Sequence, residues 1–343
     1  MKRMKKKLAY RILIFLTTTG ICVNAHAQDL HFSQYFNSPL LVNPANTGFI
    51  PEGDYRLGVN YRKQWANLGN PYRTFSVFGD GQIFGDRFEN GWIGIGGALL
   101  NDVAGTGNLT TTRAFGSIAY HQAMGINSLL SAGFNVGWVS KNIDFSKLTF
   151  DNQWNGKFFD ISAPSNESFI SNQVNYFTLQ AGVNYAYYPS EDAYMNMGIS
   201  VSNINRPRES FFSPSIVDAR LATRTTFFLN GSFRAADAWI INPNMYISNM
   251  TSVWEVVAGG SAQRKLNEDG STQVILGGYY RARDAFIPLI GFQQSGFKIT
   301  FTYDATISSL KDYNQSRGAY EFSIIKQGII NSDQGIKCPA VRF

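Results

Sequence analysis

The sequence is short of charge. Only 16% of its 343 residues are Asp, Glu, Lys or Arg, against roughly 25% in an ordinary soluble domain. The excess of base, 30 Lys and Arg over 24 Asp and Glu, sits entirely at the start. Lys2, Arg3, Lys5, Lys6, Lys7 and Arg11 precede any acid, so the chain from Gln28 onward carries 24 residues of each sign. A chain without net charge lacks the basic face that neutralises phosphate, which removes the usual electrostatic case for nucleic-acid binding. Cysteine is nearly absent, with Cys22 and Cys338 the whole supply. Histidine is limited to three residues. Past residue 27 no run approaches the ~20 apolar residues that a membrane-crossing helix needs. What abounds is 27 Phe, 17 Tyr and 6 Trp, with 32 Gly. Low charge with so many aromatics does not fit a disordered chain.

Residues 1–27 read as a secretory signal. A cationic start runs to Lys7, the apolar stretch Ile12-Leu13-Ile14-Phe15-Leu16 follows, and the segment closes on Ala25-His26-Ala27. That small-x-small ending is what signal peptidase reads, so cleavage is expected near Ala27. A lipoprotein signal at Cys22 is set aside because Ile21 stands where a small residue is needed. Removal of the signal leaves Cys338 alone and no internal disulfide.

From Tyr55 onward the dominant period is two. Leu130, Ala132, Phe134, Val136 and Trp138 alternate with Ser131, Gly133, Asn135, Gly137 and Val139. Phe177 to Tyr187 and Phe297 to Ala305 repeat the pattern. Successive strand side chains point to opposite faces, so each stretch has one apolar face and one small or polar face. Fourteen strands are expected, at 54–63, 71–84, 90–101, 108–123, 126–140, 174–187, 193–203, 220–234, 238–249, 251–264, 271–281, 284–293, 295–306 and 316–327. Helical periodicity is convincing nowhere beyond the signal.

Hydropathy does not register a transmembrane β-barrel, because lipid-facing and lumen-facing residues alternate. A soluble sandwich also alternates, but its wet face carries Lys, Glu and Arg. Here the polar face is Ser, Thr, Asn, Gln and Gly. The large connections, at 141–173, 204–219 and 307–317, are all odd-numbered, as in outer-membrane barrels with long outer loops and short periplasmic turns. Tyr61, Trp65, Trp92, Tyr120, Trp138, Tyr185, Tyr187, Tyr188, Trp239, Tyr279 and Tyr280 fall near strand ends, where an interfacial girdle belongs. The expected fold is an all-β, transmembrane outer-membrane barrel of about 14 antiparallel strands. Its expected parts are a cleaved signal at 1–27, an N-terminal segment at 28–53, the barrel at 54–327 and a periplasmic tail at 328–343.

No catalytic pattern emerges. His121 reads as a wall or turn histidine, with no nucleophile singled out beside it. No His/Cys/Asp cluster has metal-ligand spacing, and no cofactor motif is present. Gly94, Gly96 and Gly97 are followed by neither the helix nor the Lys of a phosphate loop, and read as close packing in a barrel wall. The non-alternating start, Gln28–Gly48, is the informative part. Phe32, Tyr35, Phe36, Leu40, Leu41 and Val42 need burial but have no strand spacing. The segment is either an ordinary tail tucked against the barrel or a plug entering the lumen.

This segment resembles the opening of the PorP/SprF family. His31-Phe32-Ser33-Gln34-Tyr35, then Pro39-Leu40, Asn43-Pro44-Ala45 and Gly48 carry the likeness. It continues at Arg62, Gln64 and Trp65, at Pro71-Tyr72, and at Cys338-Pro339 with Phe343. Ala340 and Val341 make this ending longer than the family's usual one. The resemblance implies an outer-membrane protein of the type IX secretion and gliding-motility machinery, non-enzymatic and without cofactor. It also implies partnership with other type IX components, with outer-membrane lipid, and with a secreted cargo or adhesin held through its C-terminal domain for export and surface anchoring. The large loops would supply the cargo surface, with Phe150, Trp154, Phe158, Phe159 and Phe169 as candidates; these aromatics read equally well as packing on one another in a closed lid. The alternative function is a plugged channel for small or hydrophobic solutes, with Arg224, Arg234, Lys298 and Asp304 at a charged constriction.

Overall fold

The structure, a computed structural model, describes residues 32–330 apart from 52, 67–68, 89, 168, 170 and 213–218. The expected signal, His31, Cys338 and Pro339 lie outside the described residues.

Fourteen strands form one closed antiparallel barrel in which each strand pairs with its sequence neighbours and the first with the last. They are β1 (Tyr55–Gln64), β2 (Tyr72–Phe88), β3 (Gly91–Ala104), β4 (Leu109–Ala123), β5 (Ser128–Asn142), β6 (Gln173–Ser190) and β7 (Ala193–Ser202). The second half comprises β8 (Arg224–Ala236), β9 (Trp239–Met250), β10 (Val253–Lys265), β11 (Thr272–Arg281), β12 (Ala285–Gln294), β13 (Phe297–Thr306) and β14 (Arg317–Gly328). The shortest, at 10 residues, is ~33 Å long, enough to cross the ~25 Å apolar band when tilted. Closure leaves no unpaired edge, which a bilayer demands because it offers no water to backbone groups. No helix among the described residues is long and apolar enough to cross a membrane.

Side-chain parity sets the two surfaces. On β1, Leu57 and Val59 are exposed outward while Arg56, Asn60 and Arg62 are buried inward. On β13, Phe297, Ile299 and Phe301 face out while Thr300, Thr302 and Asp304 face in. A continuous apolar exterior of this kind needs lipid against it. Parity also corrects part of the aromatic girdle. Tyr120, Trp138, Tyr185, Tyr187, Trp239 and Tyr280 lie outward, but Trp92, Tyr188 and Tyr279 are buried in the lumen. Each shares a face with inward polar residues of its strand, and position near a strand end does not decide facing.

The long connections, 143–172, 203–223 and 307–316, gather at one end, hereafter the odd end, and the short even-numbered turns at the other. Residues 32–50 form single turns and lie inside: 3-10 turns at Tyr35–Asn37 and Pro44–Asn46, and α1 (Pro39–Val42). A second one-turn helix, α2 (Lys311–Asn314), sits in the last odd loop. Proline at the first position of α1 and of the Pro44 turn presets φ where no backbone donor is needed.

Candidate functional site

The segment 32–50 is gripped along its length by inward side chains of the wall. Near the odd end, Glu321 accepts from the backbone N–H groups of Ser33 at 2.8 Å and Gln34 at 2.9 Å. Ser33 Oγ lies among charges: Arg62 Nη1 donates to it at 2.6 Å and Arg281 Nη2 at 2.7 Å, while it donates to Asp304 at 2.8 Å. Arg62 also pairs with Asp304 at 2.9 Å and Glu321 at 3.2 Å, and Arg281 with Asp304 at 3.0 Å. Two guanidinium groups and two carboxyl groups, all buried, thus compensate one another around one serine, the arrangement under which buried charge is tolerable. Gln34 donates to Thr302 at 3.1 Å, and Asn37 to Thr300 at 2.9 Å. Asn60 joins Ser38 at 3.0 Å to the wall.

The Asn43-Pro44-Ala45 turn sits at mid-height. The Asn43 side chain accepts from the Ala45 N–H at 2.9 Å and donates to the carbonyls of Val183 at 2.9 Å and Ile199 at 3.2 Å. Wall glycines make room here. A Cβ on Gly133 would collide with Pro44 and Ala45, and one on Gly182 with the Asn43 side chain. Below, Gly48 has φ +69° and lies against Gly94, where a Cβ on either residue would meet the other's backbone. Only glycine satisfies both the left-handed backbone and the contact. Gly48 N–H donates to Asp80 at 2.8 Å, and Arg56 holds that carboxylate at 2.7 Å. Trp92 Nε1 donates to Gly48 O at 3.0 Å, and Thr47 bonds Ser117 and lies 2.8 Å from His121 Nε2. His121 is a wall residue serving the segment.

The segment crosses the lumen diagonally. Ser33–Asn37 face β13, β14 and β1, whereas Asn43–Gly48 face β2 to β7. Among the described residues, two cavities flank it. One of about 100 Å³ lies in the odd half, lined by Phe32, Tyr35 and Val42 with Arg113, Asn203 and Arg224. The other, about 210 Å³, lies in the even half beyond Phe36.

At the odd end the sequence-predicted loop aromatics fall into two groups. Phe150 and Phe169 join a packed cluster: Phe169 stacks on Phe145 with centroids 3.8 Å apart and meets Phe212 at 5.1 Å and Phe150 at 5.8 Å. A β-bridge from Phe169 to Phe212 fastens loops 143–172 and 203–223 together, and an ion pair ties Lys141 at the end of β5 to Glu209. Trp154, Phe158 and Phe159 are exposed at 54%, 62% and 43%, with Ile161 at 70%. A bridge between Trp154 and Phe159 shapes them into a small hairpin. In the same loop the Ser162 hydroxyl and amide hold the Asp160 carboxyl below its usual range, as the Ser146 hydroxyl does for Asp144.

Of the remaining motif residues, Pro39 opens α1, Gln64 ends β1, and Trp65 turns the chain with φ 53° while stacking edge-on with Tyr72 at 5.0 Å. Sequence reasoning did not single out Arg56, Asn60, Asp80, Arg281 or Glu321. Their signal is an ionised or amide side chain on the lumen parity of a strand in a chain poor in charge. Of the charges proposed for a constriction, Asp304 is engaged as above, Arg234 pairs with Asp192 at 2.9 Å and Arg224 with Glu255 at 3.8 Å, while Lys298 lines the even-half cavity.

Among known proteins, the family described as type IX secretion system membrane protein PorP/SprF matches residues 24–325. No curated protein gives a significant match. Solved structures similar to this chain include the toluene transporter TodX of Pseudomonas putida, at 12% identity and TM-score 0.48, covering 84% of this chain and 91% of that one. A Pseudomonas aeruginosa FadL homologue gives 12% identity and TM-score 0.46, covering 85% and 94% respectively. The KdgM porin gives 7% and 0.38, covering 79% and 98%.

Proposed function

The chain belongs to the PorP/SprF family of type IX secretion system membrane proteins, and from that premise we propose that it is a non-enzymatic outer-membrane partner of the secretion machinery that receives the C-terminal domain of a secreted cargo or adhesin, supporting its export and surface anchoring. On this reading residues 1–27 are a cleaved signal and the odd end faces outward.

One observation carries the cargo assignment: three exposed aromatics, Trp154, Phe158 and Phe159, stand on a loop whose base is fixed by the Phe145–Phe169 stack and the Lys141–Glu209 pair. Large apolar groups on a rigid support are what a protein–protein hot spot requires, because little conformational freedom is lost on binding. The segment inside the lumen supports an anchor over a conduit. Its contacts with opposite sides of the wall hold it across the bore, and the space on either side is split into separate cavities.

The test is affinity purification of the tagged protein in mild detergent from its own membranes, followed by titration of the recovered cargo's C-terminal domain. Binding is expected, and the combined Trp154→Ala, Phe158→Ala, Phe159→Ala variant should weaken it at least about thirty-fold, the equivalent of ~2 kcal/mol. A barrel recovered alone that conducts ions in planar bilayers overturns the reading in favour of a solute channel.

A further inference from the structure

The even-half cavity is walled by amides that the segment 32–50 does not use. Strands β8 to β12 present Asn230, Asn242, Asn244, Gln263, Gln273 and Gln293 to it. Asn230 and Asn244 stand opposite each other in the ladder and satisfy one another, with Asn244 donating at 3.1 Å and accepting from Tyr279 at 2.9 Å. Other amides are unmatched. Gln273 is 5% exposed and its amide nitrogen donates to Gly270 O at 2.9 Å, yet its Oε1 has no hydrogen-bond partner among the described residues. Asn242 Nδ2 is likewise buried without one. A buried amide atom in this state costs free energy until something supplies a partner. The acceptor on β11 and the donor on β9 lie two strands apart, so a molecule that meets both needs hydrogen-bonding groups on more than one side.

Charge and size narrow the class. Lys298 is the one charged side chain among the described lining residues, so no carboxylate there balances a metal ion or an amine. The ligand is neutral or carries a single negative charge. A volume of about 210 Å³ is on the order of fifteen waters, which is the non-hydrogen content of one N-acetylhexosamine. Side-chain amides donate and accept together, as sugar hydroxyls do. Ile275 follows Gln273 by two positions, on the same face of β11, and is buried in the cavity lining. An acceptor beside an apolar surface is what an acetamido group needs, one for its N–H and the other for its methyl. Pro51, Gly296 and Gln327 carry the lining to the even mouth. On the orientation proposed above, that mouth faces the periplasm, where N-acetylated sugars are the repeating units of the wall glycan.

We propose that the even-half cavity is a binding site for one N-acetylated sugar residue, free or at the end of a glycan chain. Gln273 Oε1 accepts from its acetamido N–H, Ile275 covers the acetyl methyl, and Asn242 and the neighbouring amides take its hydroxyls. Cargo binding at the odd end can fail without affecting this assignment.

The full-length barrel, purified in detergent, is titrated with N-acetylglucosamine and in parallel with glucose, binding being followed by ligand-observed NMR. A Kd of about millimolar is expected for the acetylated sugar, with glucose at least about ten-fold weaker because it has no methyl for Ile275. Gln273→Leu keeps the bulk and removes the acceptor. It should weaken N-acetylglucosamine binding at least about ten-fold while the folded mobility on unheated gels stays that of the parent. Asn242→Leu reads the other side of the cavity should Gln273→Leu fail to assemble. Sedimentation with purified peptidoglycan separates the two sources. Pelleting that N-acetylglucosamine competes away assigns a glycan end, and binding without pelleting assigns the free sugar. Equal affinity for glucose, no binding of either sugar, or unchanged affinity in Gln273→Leu overturns the proposal. So does tighter binding of the blocked dipeptide N-acetyl-alanyl-alanine amide, which would make the cavity a peptide site.

Discussion

Tyr35 and Phe36 are neighbours in the chain, set edge to face with centroids 5.5 Å apart and planes at 76°, and they line different cavities. Tyr35 packs on Tyr246 at 4.9 Å and Phe36 stacks on Tyr279 at 5.1 Å, so one dipeptide packs against two strands of the wall. The Tyr35→Ala, Phe36→Ala double variant should join the two spaces. Single-channel recording in planar bilayers is expected to show a silent parent and steady openings in the variant. Equal conductance in both proteins would mean that the pair is no barrier.

Asn43 should behave as the central fastener of the segment. Asn43→Ala removes two donors to strand carbonyls and the local acceptor of Ala45. A loss of about 1–3 kcal/mol follows from these bonds. It is read as a lower midpoint for the shift from folded to unfolded mobility on unheated gels. Asn43→Asp keeps the acceptor but sets a carboxylate against carbonyls, and should be the worse of the two.

Gly133→Val tests the fit between wall and segment without touching any hydrogen bond of the segment. The added side chain overlaps Pro44 and Ala45, an overpacking worth about 1–3 kcal/mol. A reporter thiol at Ser38, buried in the parent, is expected to become reactive to maleimide in this variant. Unchanged protection would place the segment elsewhere.

Arg62→Ala strips a cation from Asp304 and Glu321 while both stay buried. Leaving buried carboxylates undercompensated typically costs about 3–5 kcal/mol. A matching fall in thermal midpoint is expected, and added salt should not narrow the gap because buried pairs are poorly screened. A change within the error of the parent would show that the cluster is solvated.

Phe169→Ala and Trp154→Ala should separate the two groups of loop aromatics. The first removes the ring shared by Phe145, Phe150 and Phe212, so loops 143–172 and 203–223 should become sensitive to limited proteolysis. The second removes an exposed ring and should leave the proteolytic pattern unaltered while weakening cargo capture. Identical patterns for the two variants would show that the cluster does not hold the loops.

Much of this molecule was legible in its residues. Alternation from Leu130 to Val139 named both faces of β5, and the same parity placed Asp304 and Thr300 in the lumen, because strand geometry allows a side chain only two directions. All fourteen strands and the odd placement of the long loops follow from that period and from the turn residues between. The likeness carried by Phe32 to Gly48 pointed to the family, yet it gave no reason for those residues. Tertiary structure supplied it: Asn43 is needed for carbonyls 140 and 156 positions away, and Gly48 because Gly94 of another strand lies against it. Strand parity already sets Trp92, Tyr188 and Tyr279 toward the lumen, whereas only the packed loops decide that Phe150 and Phe169 gather away from Trp154, Phe158 and Phe159. Local periodicity is written within a few residues of sequence, whereas the contacts that hold the segment join positions up to 288 apart, and only the closed barrel brings those into reach.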